Sequence, residues 1–261
     1  MPLFLDGNIS TIEDLRAYDS SILTVSNVEQ VDLTAKLSLA QRELQVELQQ
    51  MLARSSYGQM RGLNSFGQVT PATIDLSGVA VTEPLRQWHC LRTLALVYRD
   101  AYYSQLNDRY QGRWQEYVKL DGQAQLILFN TGIGMVADPI AQAAAPLLAI
   151  SAGSNQPATY YVRAAWLNAG GQEGQGSATS AVIADQFHML TATAINAPSN
   201  AGAWNIYAGL TESSMTRQNA NPLNPGDSWI LPASGLADGP APGEGQPPDY
   251  YLSPCNTIPR G

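Results

Sequence analysis

The chain has 261 residues, of which 44% are hydrophobic, so it is long enough to bury one large core or two ordinary ones. Its net charge is −8, from 14 Lys plus Arg against 22 Asp plus Glu, and it contains no basic run. This balance disfavours direct binding to a nucleic-acid backbone, which requires clustered cations. Charged residues make up only 14% of the chain, below the roughly 25% of an average soluble domain. This shortage favours a surface that is shared with other subunits.

The N-terminus has neither a positive region nor a long apolar core, which predicts no signal peptide. No stretch approaches the 18 or so consecutive apolar residues of a membrane span. We therefore expect a soluble protein that is made and kept in the cytoplasm, or in an assembly built there. Cys90 and Cys255 lie far apart in the chain, so we expect neither a structural disulfide nor a cysteine-based metal site.

Residues 1–27 are predicted to form an extended N-terminal segment with one short helical piece at residues 10–18. In that piece, Ser10 and Glu13 have the spacing of a capping box. Apolar residues then recur at helical spacing over residues 28–54, which predicts a half-exposed helix.

Glu43 and Glu47 lie one turn apart on the polar side of this helix, as a pair of catalytic or metal-binding carboxylates would. No His accompanies them, so we interpret them as part of a solvated face. Residues 55–81 carry scattered glycines and are predicted to form a loop that is functional or ordered by a partner.

The strongest helical pattern covers residues 83–106, with one large aromatic face and Pro84 in the first turn. A further helix is predicted at residues 109–120 and is expected to end at Gly122, before an apolar segment at residues 123–130. Aromatic residues at helical spacing belong to a core or an interface far more often than to a ligand site. The candidates for packing or interface anchors are Trp88, Tyr98, Tyr102, Tyr110 and Trp114, together with Tyr250 and Tyr251 near the C-terminus.

The second half is sparsely charged and reads as short strands separated by Gly, Asn and Pro turns, which predicts an antiparallel β-sandwich. The strands are predicted at residues 146–152, 159–167, 180–184, 188–194, 203–209 and 229–231. Residues 236–261 contain six Pro and four Gly, which predicts an extended arm that is disordered or lies on a partner.

The outline of a dinucleotide-binding turn appears at residues 126–137, where an apolar run leads into G-x-G-x-x-A. Pro139 follows two residues later and would stop the helix that has to hold the pyrophosphate. No acidic residue ends a second strand at the required distance. We therefore expect no cofactor.

The two histidines offer little chemistry. His89 and Cys90 are adjacent on the predicted helix, so their side chains diverge by about 100° and do not form a nucleophilic pair. His188 precedes a strand without a neighbouring carboxylate or cysteine cluster. A triad assembled from distant residues stays open, but no G-x-S-x-G turn supports it. We expect neither a catalytic site nor a metal site.

The helical half resembles the head-to-tail connector (adaptor) proteins of tailed bacteriophages. The residues that carry the resemblance are LRQWHCLRTLALVY from Leu85 to Tyr98, then Asp108 to Tyr110, and Trp114 with Tyr117. The likeness covers residues 28–130 and lies in a pattern of aromatic helices without an active-site motif.

The second half resembles the immunoglobulin or fibronectin type III-like modules that are frequent in phage virion proteins. The likeness rests on Tyr160 to Gly174, on the strand from Trp204 to Gly209, and on residues 218–232 with their Asn-Pro-Gly-Asp-Ser-Trp turn. The module lacks the cysteine pair that joins the sheets of antibody domains.

These resemblances imply an α+β protein of several domains. An extended segment (residues 1–27) would precede a helical adaptor-like bundle (28–135), an Ig-like β-sandwich (140–235) and a C-terminal arm (236–261). The implied function is that of a neck ring subunit, not an enzyme, at the head–tail junction of the virion. Twelve copies would join portal to tail proteins, and DNA would pass through the ring without specific binding.

The alternative is a receptor- or carbohydrate-binding virion module, such as a tail fibre, collar or decoration protein. Trp166, Trp204 or Trp229 would then stack on sugar rings, which requires at least two of them to be exposed on one surface. The connector interpretation buries most of them.

Overall fold

The computed structural model describes residues 1–60, 75–105, 108–154 and 156–253. Helices fill the N-terminal half and antiparallel sheets fill the C-terminal half, so the predicted α+β class is confirmed. The chain forms two compact units. Residues Gly7–Ala137 and those from Pro248 on make the helical unit, and Met1–Asp6 with Asp138–Pro247 make the β unit.

Helix α4 is the centre of the helical unit, because it contacts each of the other helices. The helices are α1 (Ile12–Tyr18), α2 (Ile22–Glu29), α3 (Leu33–Met60), α4 (Glu83–Gln105) and α5 (Gln111–Thr131). The helix predicted at residues 83–106 is confirmed as far as Gln105, and Leu106 lies outside the described residues. Leu85, Trp88 and Tyr98 of its predicted apolar face are at most 2% exposed.

The N-terminal segment contains two helices where one was predicted. The first begins after Thr11, whose hydroxyl accepts a hydrogen bond from the Asp14 amide (3.2 Å), while the Asp14 carboxylate accepts one from the Thr11 amide (2.7 Å). The capping box therefore lies one residue later than the predicted pair of Ser10 and Glu13. The reason is that the Ser10 hydroxyl is bonded to His89 instead.

The boundary between α2 and α3 also differs from the prediction of one helix from residue 28. Gln30 ends α2 in the left-handed region, at φ 54°. The Asp32 carboxylate then accepts hydrogen bonds from the amides of Thr34 (2.8 Å) and Ala35 (3.1 Å), which caps the start of α3. At its other end α3 continues to Met60, past the predicted end at Arg54. Residues 61–74 of the predicted loop lie outside the described residues.

Helix α5 runs without a break to Thr131, so the predicted end at Gly122 and the separate segment at residues 123–130 are wrong. A glycine inside a helix costs only about 1 kcal/mol relative to alanine. Burial of Tyr117 and Ala124 on either side of Gly122 outweighs that cost.

The six strands predicted in the second half are all present, within two residues of their predicted bounds. The nine strands of the described residues are β1 (Ile133–Met135), β2 (Leu147–Ala152), β3 (Ala158–Asn168), β4 (Ser180–Ala184), β5 (His188–Thr193), β6 (Ala201–Gly209), β7 (Thr216–Arg217), β8 (Ser228–Ile230) and β9 (Tyr250–Leu252). Seven of these strands form two sheets in the β unit, a three-stranded sheet, β2-β5-β8, and a four-stranded sheet, β4-β3-β6-β7. Every pairing is antiparallel.

One hydrophobic core receives side chains from both sheets of the β unit. Trp166 and Trp204 are directly opposite each other in the register of β3 and β6, and Trp229 joins them from β8. Their exposed fractions are 1%, 0% and 6%. The three tryptophans are therefore core residues.

The C-terminal arm is tied to its own chain in each of the two units. Within the β unit, the buried Gln246 side chain accepts a hydrogen bond from the Ile140 amide (2.7 Å) and donates one to the Asp138 carbonyl (3.0 Å). Within the helical unit, β9 pairs with β1, so that Gly134 is opposite Tyr251. These residues therefore have hydrogen-bond partners without a second protein. Cys255 and its neighbours from residue 254 on lie outside the described residues.

Gly134 provides the room for this return of the chain. A Cβ atom at Gly134 would lie 2.8 Å from Cγ2 of Thr82 and 3.0 Å from Cβ of Pro248.

Among the helices of the described residues, none is long and apolar enough to cross a bilayer.

Candidate interface site

Three of the predicted anchors lie inside the helical unit. Trp88, Tyr98 and Tyr110 are 0%, 2% and 5% exposed. The Trp88 ring meets the Phe129 ring edge-on, with 6.1 Å between centroids, so α4 and α5 are joined through an aromatic contact. These three residues serve the core and are not available to another subunit.

Tyr98 also belongs to a buried polar cluster. Its hydroxyl and that of Tyr117 donate to the same Asp19 oxygen, at 2.5 and 3.0 Å. Burial pushes the pKa of Asp19 upward, but hydrogen bonds from Ser21, Tyr98 and Tyr117 outweigh it and leave that pKa below its ordinary value. Burial and the hydrogen bond to Asp19 raise the pKa of Tyr98 to about 12.

A surface aromatic cluster, made of Tyr102, Tyr103 and Trp114, forms where the end of α4 meets the start of α5. Tyr102 stacks on Trp114 with 5.7 Å between centroids and 19° between planes. Tyr103 is tilted against both, at 5.2 and 5.8 Å. Tyr102 and Trp114 are half-buried, whereas Tyr103 is 57% exposed. Tyr103 was not among the predicted anchors, although it directly follows Tyr102 in the sequence.

An apolar row on α5 continues from this cluster and is called the α5 ridge here. It consists of Trp114, Val118, Gly122 and Leu126, which follow one another at intervals of four residues and so form a single ridge of the helix. Val118 and Leu126 are 49% and 61% exposed. Apart from its chain neighbours and the adjacent backbone of α5, no atom of the described residues lies within 4 Å of a Cβ built on Gly122.

An acidic groove of about 550 Å³ borders the cluster, and Tyr103 forms part of its wall. Glu29, Asp32 and Asp100 supply three carboxylates, and Lys36 pairs with Asp100. The Ser104 hydroxyl donates to Glu29 at 3.0 Å. Some of the charged groups of the groove therefore have partners within the groove itself.

The remaining anchors, Tyr250 and Tyr251, lie on β9 and are 39% and 55% exposed. They are held in place by the pairing of β9 with β1. The structure thus separates the seven predicted residues into a buried group, a surface cluster and an exposed C-terminal pair.

No family model and no curated protein matches this chain.

Glu43 and Glu47 do not form the solvated pair that was expected. Arg92 of α4 donates to both carboxylates, at 3.1 and 3.0 Å, and its Nε donates to Asp121 of α5 at 2.9 Å. The Arg92 side chain is only 16% exposed, and its guanidinium lies 5.7 Å from the centre of the Trp88 ring. The arrangement is an ion network that fastens α3 and α5 to α4.

His89 has two partners that periodicity could not indicate. Ser10 Oγ lies 2.5 Å from its Nδ1, and its Nε2 lies 3.0 Å from the Leu37 carbonyl oxygen. Because a carbonyl only accepts, Nε2 carries the proton and Nδ1 accepts from the hydroxyl. Ser10 and His89 are 2% and 0% exposed, so the pair is closed to a substrate.

Cys90 is fully buried, and burial raises the pKa of its thiol to about 11. His188 contacts Asp185 at 2.6 Å on the surface of the β unit, so it does have a carboxylate neighbour. Within the described ranges, no group of three His, Cys, Asp or Glu is placed to hold a metal ion.

The G-x-G-x-x-A segment has a different role from the one its outline suggests. The apolar run before it belongs to the end of α5, not to a strand, and Gly132 leads into β1, which contains Ile133 and Gly134. Gly132 has φ 92°, a conformation that favours glycine, and Gly134 admits the returning C-terminal residues. The motif is therefore explained by the pairing of β1 with β9.

Proposed function

We propose that the protein is a structural subunit of a tailed-phage virion, a head–tail connector whose copies form a ring of twelve, and that it has no catalytic role. The observation that carries the proposal is the continuous exposed surface formed by the aromatic cluster and the α5 ridge, here called the docking surface. It lies in the part of the chain that resembles phage connector proteins.

The composition of the docking surface supports a contact with another protein. Tyr and Trp are enriched among the residues that dominate interface energies, because they bury a large area at a low entropic cost. Tyr103, Val118 and Leu126 each expose about half of their area or more in the single chain. Burying such apolar area stabilises a complex by about 25 cal/mol per Å² before association costs are subtracted.

A closed ring needs two different patches on each subunit, since the contacts are head-to-tail. In this proposal the docking surface supplies one patch, and the portal and tail proteins contact the ring above and below. The net charge of −8 favours a lumen that does not retain DNA. The protein would then be located at the head–tail junction of the virion.

For the β unit we propose an immunoglobulin-like module. The order β4-β3-β6-β7 matches the strand order C′-C-F-G of such domains, and the β2-β5 pair matches B-E. Strand β8 lies beside β5, where strand D would lie, although it comes from the end of the module. The spatial arrangement of the strands therefore matches that of an immunoglobulin-like domain, but the strand at the position of D comes from a different point in the chain.

A carbohydrate-binding role is not put forward. It required at least two of Trp166, Trp204 and Trp229 on one exposed surface, and all three lie in the core. Buried rings cannot stack on a sugar.

The ring is tested by native mass spectrometry and negative-stain imaging of the full chain. We expect closed rings from the unaltered protein, and smaller species from the double variant Tyr103→Ala, Trp114→Ala. Phe187→Ala is the matched control, because Phe187 is an exposed aromatic residue (67%) of the β unit and is not part of the docking surface. That variant should form rings like the parent.

A chain that stays monomeric at tens of micromolar would contradict the ring. Rings that form equally well from the double variant would show that a different surface makes the contact. Mass spectrometry of purified phage particles tests the virion location, and absence of the protein from its particles would refute it.

A further inference from the structure

Residues 7–21, called the strap here, lie on the helical unit with few apolar contacts. Ile9 and Leu15 are its buried apolar side chains, at 3% and 0% exposure. Helix α1 has only seven residues, too few to be stable by itself in water. Its attachment therefore depends on what holds its two ends.

The first end is held by the contact between Ser10 and His89. This imidazole bonds the strap hydroxyl on one side and the Leu37 carbonyl of α3 on the other, at 2.5 and 3.0 Å. Because His89 belongs to α4, one neutral ring joins three segments of the chain. Its two bonds require one nitrogen to accept and the other to donate.

The second end is held by Asp19, which follows α1 directly. One carboxylate oxygen accepts from Tyr98 of α4 and Tyr117 of α5, and the other accepts from the amide and hydroxyl of Ser21. Asp19 is 6% exposed. The strap is thus fixed by two buried polar contacts of different chemistry.

We propose that the strap is a releasable cover on α4 that acid opens in a fixed order, from the Ser10 end first, while the Asp19 end still holds. Protonation of His89 turns Nδ1 from an acceptor into a donor, which removes the acceptor of the Ser10 hydroxyl and places a charge in a buried site. Protonation of Asp19 places a proton on one of the two carboxylate oxygens that accept these hydrogen bonds, and it happens only at lower pH.

The order of opening follows from the directions in which the pKa values of His89 and Asp19 are shifted. Burial lowers the pKa of His89 from 6.5 to about 4, so the stability that its neutral form contributes is complete above pH 6.5 and is lost as the pH falls toward 4. The pKa of Asp19 lies below its ordinary 3.8, so the contribution of that carboxylate is lost only below about that pH. Between these limits only the first contact weakens.

The charges around the two groups leave this order unchanged. Asp14 of α1 faces His89 and favours its protonated form, yet the net pKa shift of His89 is downward. Around Asp19 the neighbouring titratable groups are Tyr98 of α4 and Tyr117 and Arg113 of α5, and its net pKa shift is also downward. The strap does not depend on a virion role.

Hydrogen–deuterium exchange of the full chain at pH 7 and pH 4.5, expressed as protection factors, tests the proposal. We expect protection in residues 9–14 to fall by about tenfold or more at pH 4.5, from linkage to a single buried histidine. Protection in residues 19–25 and in α4 should change less than twofold. Ser10→Ala should lower protection in residues 9–14 at both pH values.

His89→Gln removes the titratable group but keeps a side chain that donates and accepts hydrogen bonds. Protection of residues 9–14 in this variant should therefore be nearly independent of pH. The matched control is His188→Gln, which alters the other histidine of the chain, on the surface of the β unit. This variant should respond to pH like the parent. Far-UV circular dichroism verifies that each variant is folded at pH 7.

Equal protection of residues 9–14 at both pH values would overturn the proposal. Simultaneous loss across α4 and the strap would also overturn it, because the helical unit would then unfold as a whole. If His89→Gln retains the full pH response, a different group controls the strap and the proposal fails.

Discussion

Tyr98 and Tyr117 stack with 5.3 Å between ring centroids, and their hydroxyls donate to the same oxygen of Asp19. The two rings come from α4 and α5, and the carboxylate comes from the end of α1. Three helices are therefore fixed at one point by an aromatic contact and by charge-assisted hydrogen bonds, which are stronger than neutral ones.

Tyr98→Phe and Tyr117→Phe should each destabilise the helical unit by about 1.5–3 kcal/mol, the usual worth of a hydrogen bond to a charged group. The double variant should cost less than the sum, because Asp19 can then recruit water. Urea denaturation of all four proteins measures this coupling. Strict additivity would show that the hydroxyls act independently.

Replacement of Arg92 by alanine should destabilise the protein by about 3 kcal/mol, because it leaves Asp121, whose side chain is 15% exposed, without its cation. Arg16→Ala is the control, since Arg16 forms an exposed ion pair with Glu13 one turn away. That change should cost under about 0.5 kcal/mol. Chemical denaturation provides both values, and equal effects would mean that the network contributes no more than a surface pair.

Two glycines should respond in opposite ways to alanine. Gly122→Ala should stabilise α5 by about 0.5–1 kcal/mol, since nothing lies within 4 Å of the new Cβ. Gly134→Ala should destabilise, because its Cβ would lie 2.8 Å from Thr82 and 3.0 Å from Pro248. Thermal unfolding of both variants gives the comparison. A Gly134→Ala protein as stable as the parent would mean that β9 does not pair with β1 in solution.

The Cys90 thiol should be unreactive in the folded protein, because it is fully buried and its pKa is raised to about 11. In a Cys255→Ser background, titration with a disulfide reagent at pH 8 should detect no thiol until denaturant is added. Reaction of one thiol per chain in the native protein would indicate that α4 is open to solvent.

The strands were predictable because apolar and polar residues alternate with a period of two along each of them. Tyr160, Val162 and Ala164 face the core of the β unit on every second position of β3, as the pattern indicates. The aromatic face of α4 was equally predictable from its spacing. Local periodicity specifies which residues are buried, and burial is most of what defines these elements.

Polar partners that are distant in sequence were not predictable. Arg92 lies 49 residues from Glu43, and Ser10 lies 79 residues from His89, so no local pattern links them. The same holds for the surface cluster, since Tyr103 and Trp114 lie on different helices and meet only because α4 packs on α5. The continuation of α5 through Gly122 was also not predictable, because the composition of a segment does not show how strongly the residues around a glycine are buried.

The pairing of β1 with β9 affects the order in which the chain completes its fold during synthesis. Ala137, just after β1, donates its amide to the Asp249 carboxylate, 112 residues later in the sequence. A ribosome therefore produces the helices and the entire β unit before the last strand of the helical unit exists. Until β9 is synthesised, one edge of β1 is unpaired. During this period a chaperone or a wrong strand has access to that edge.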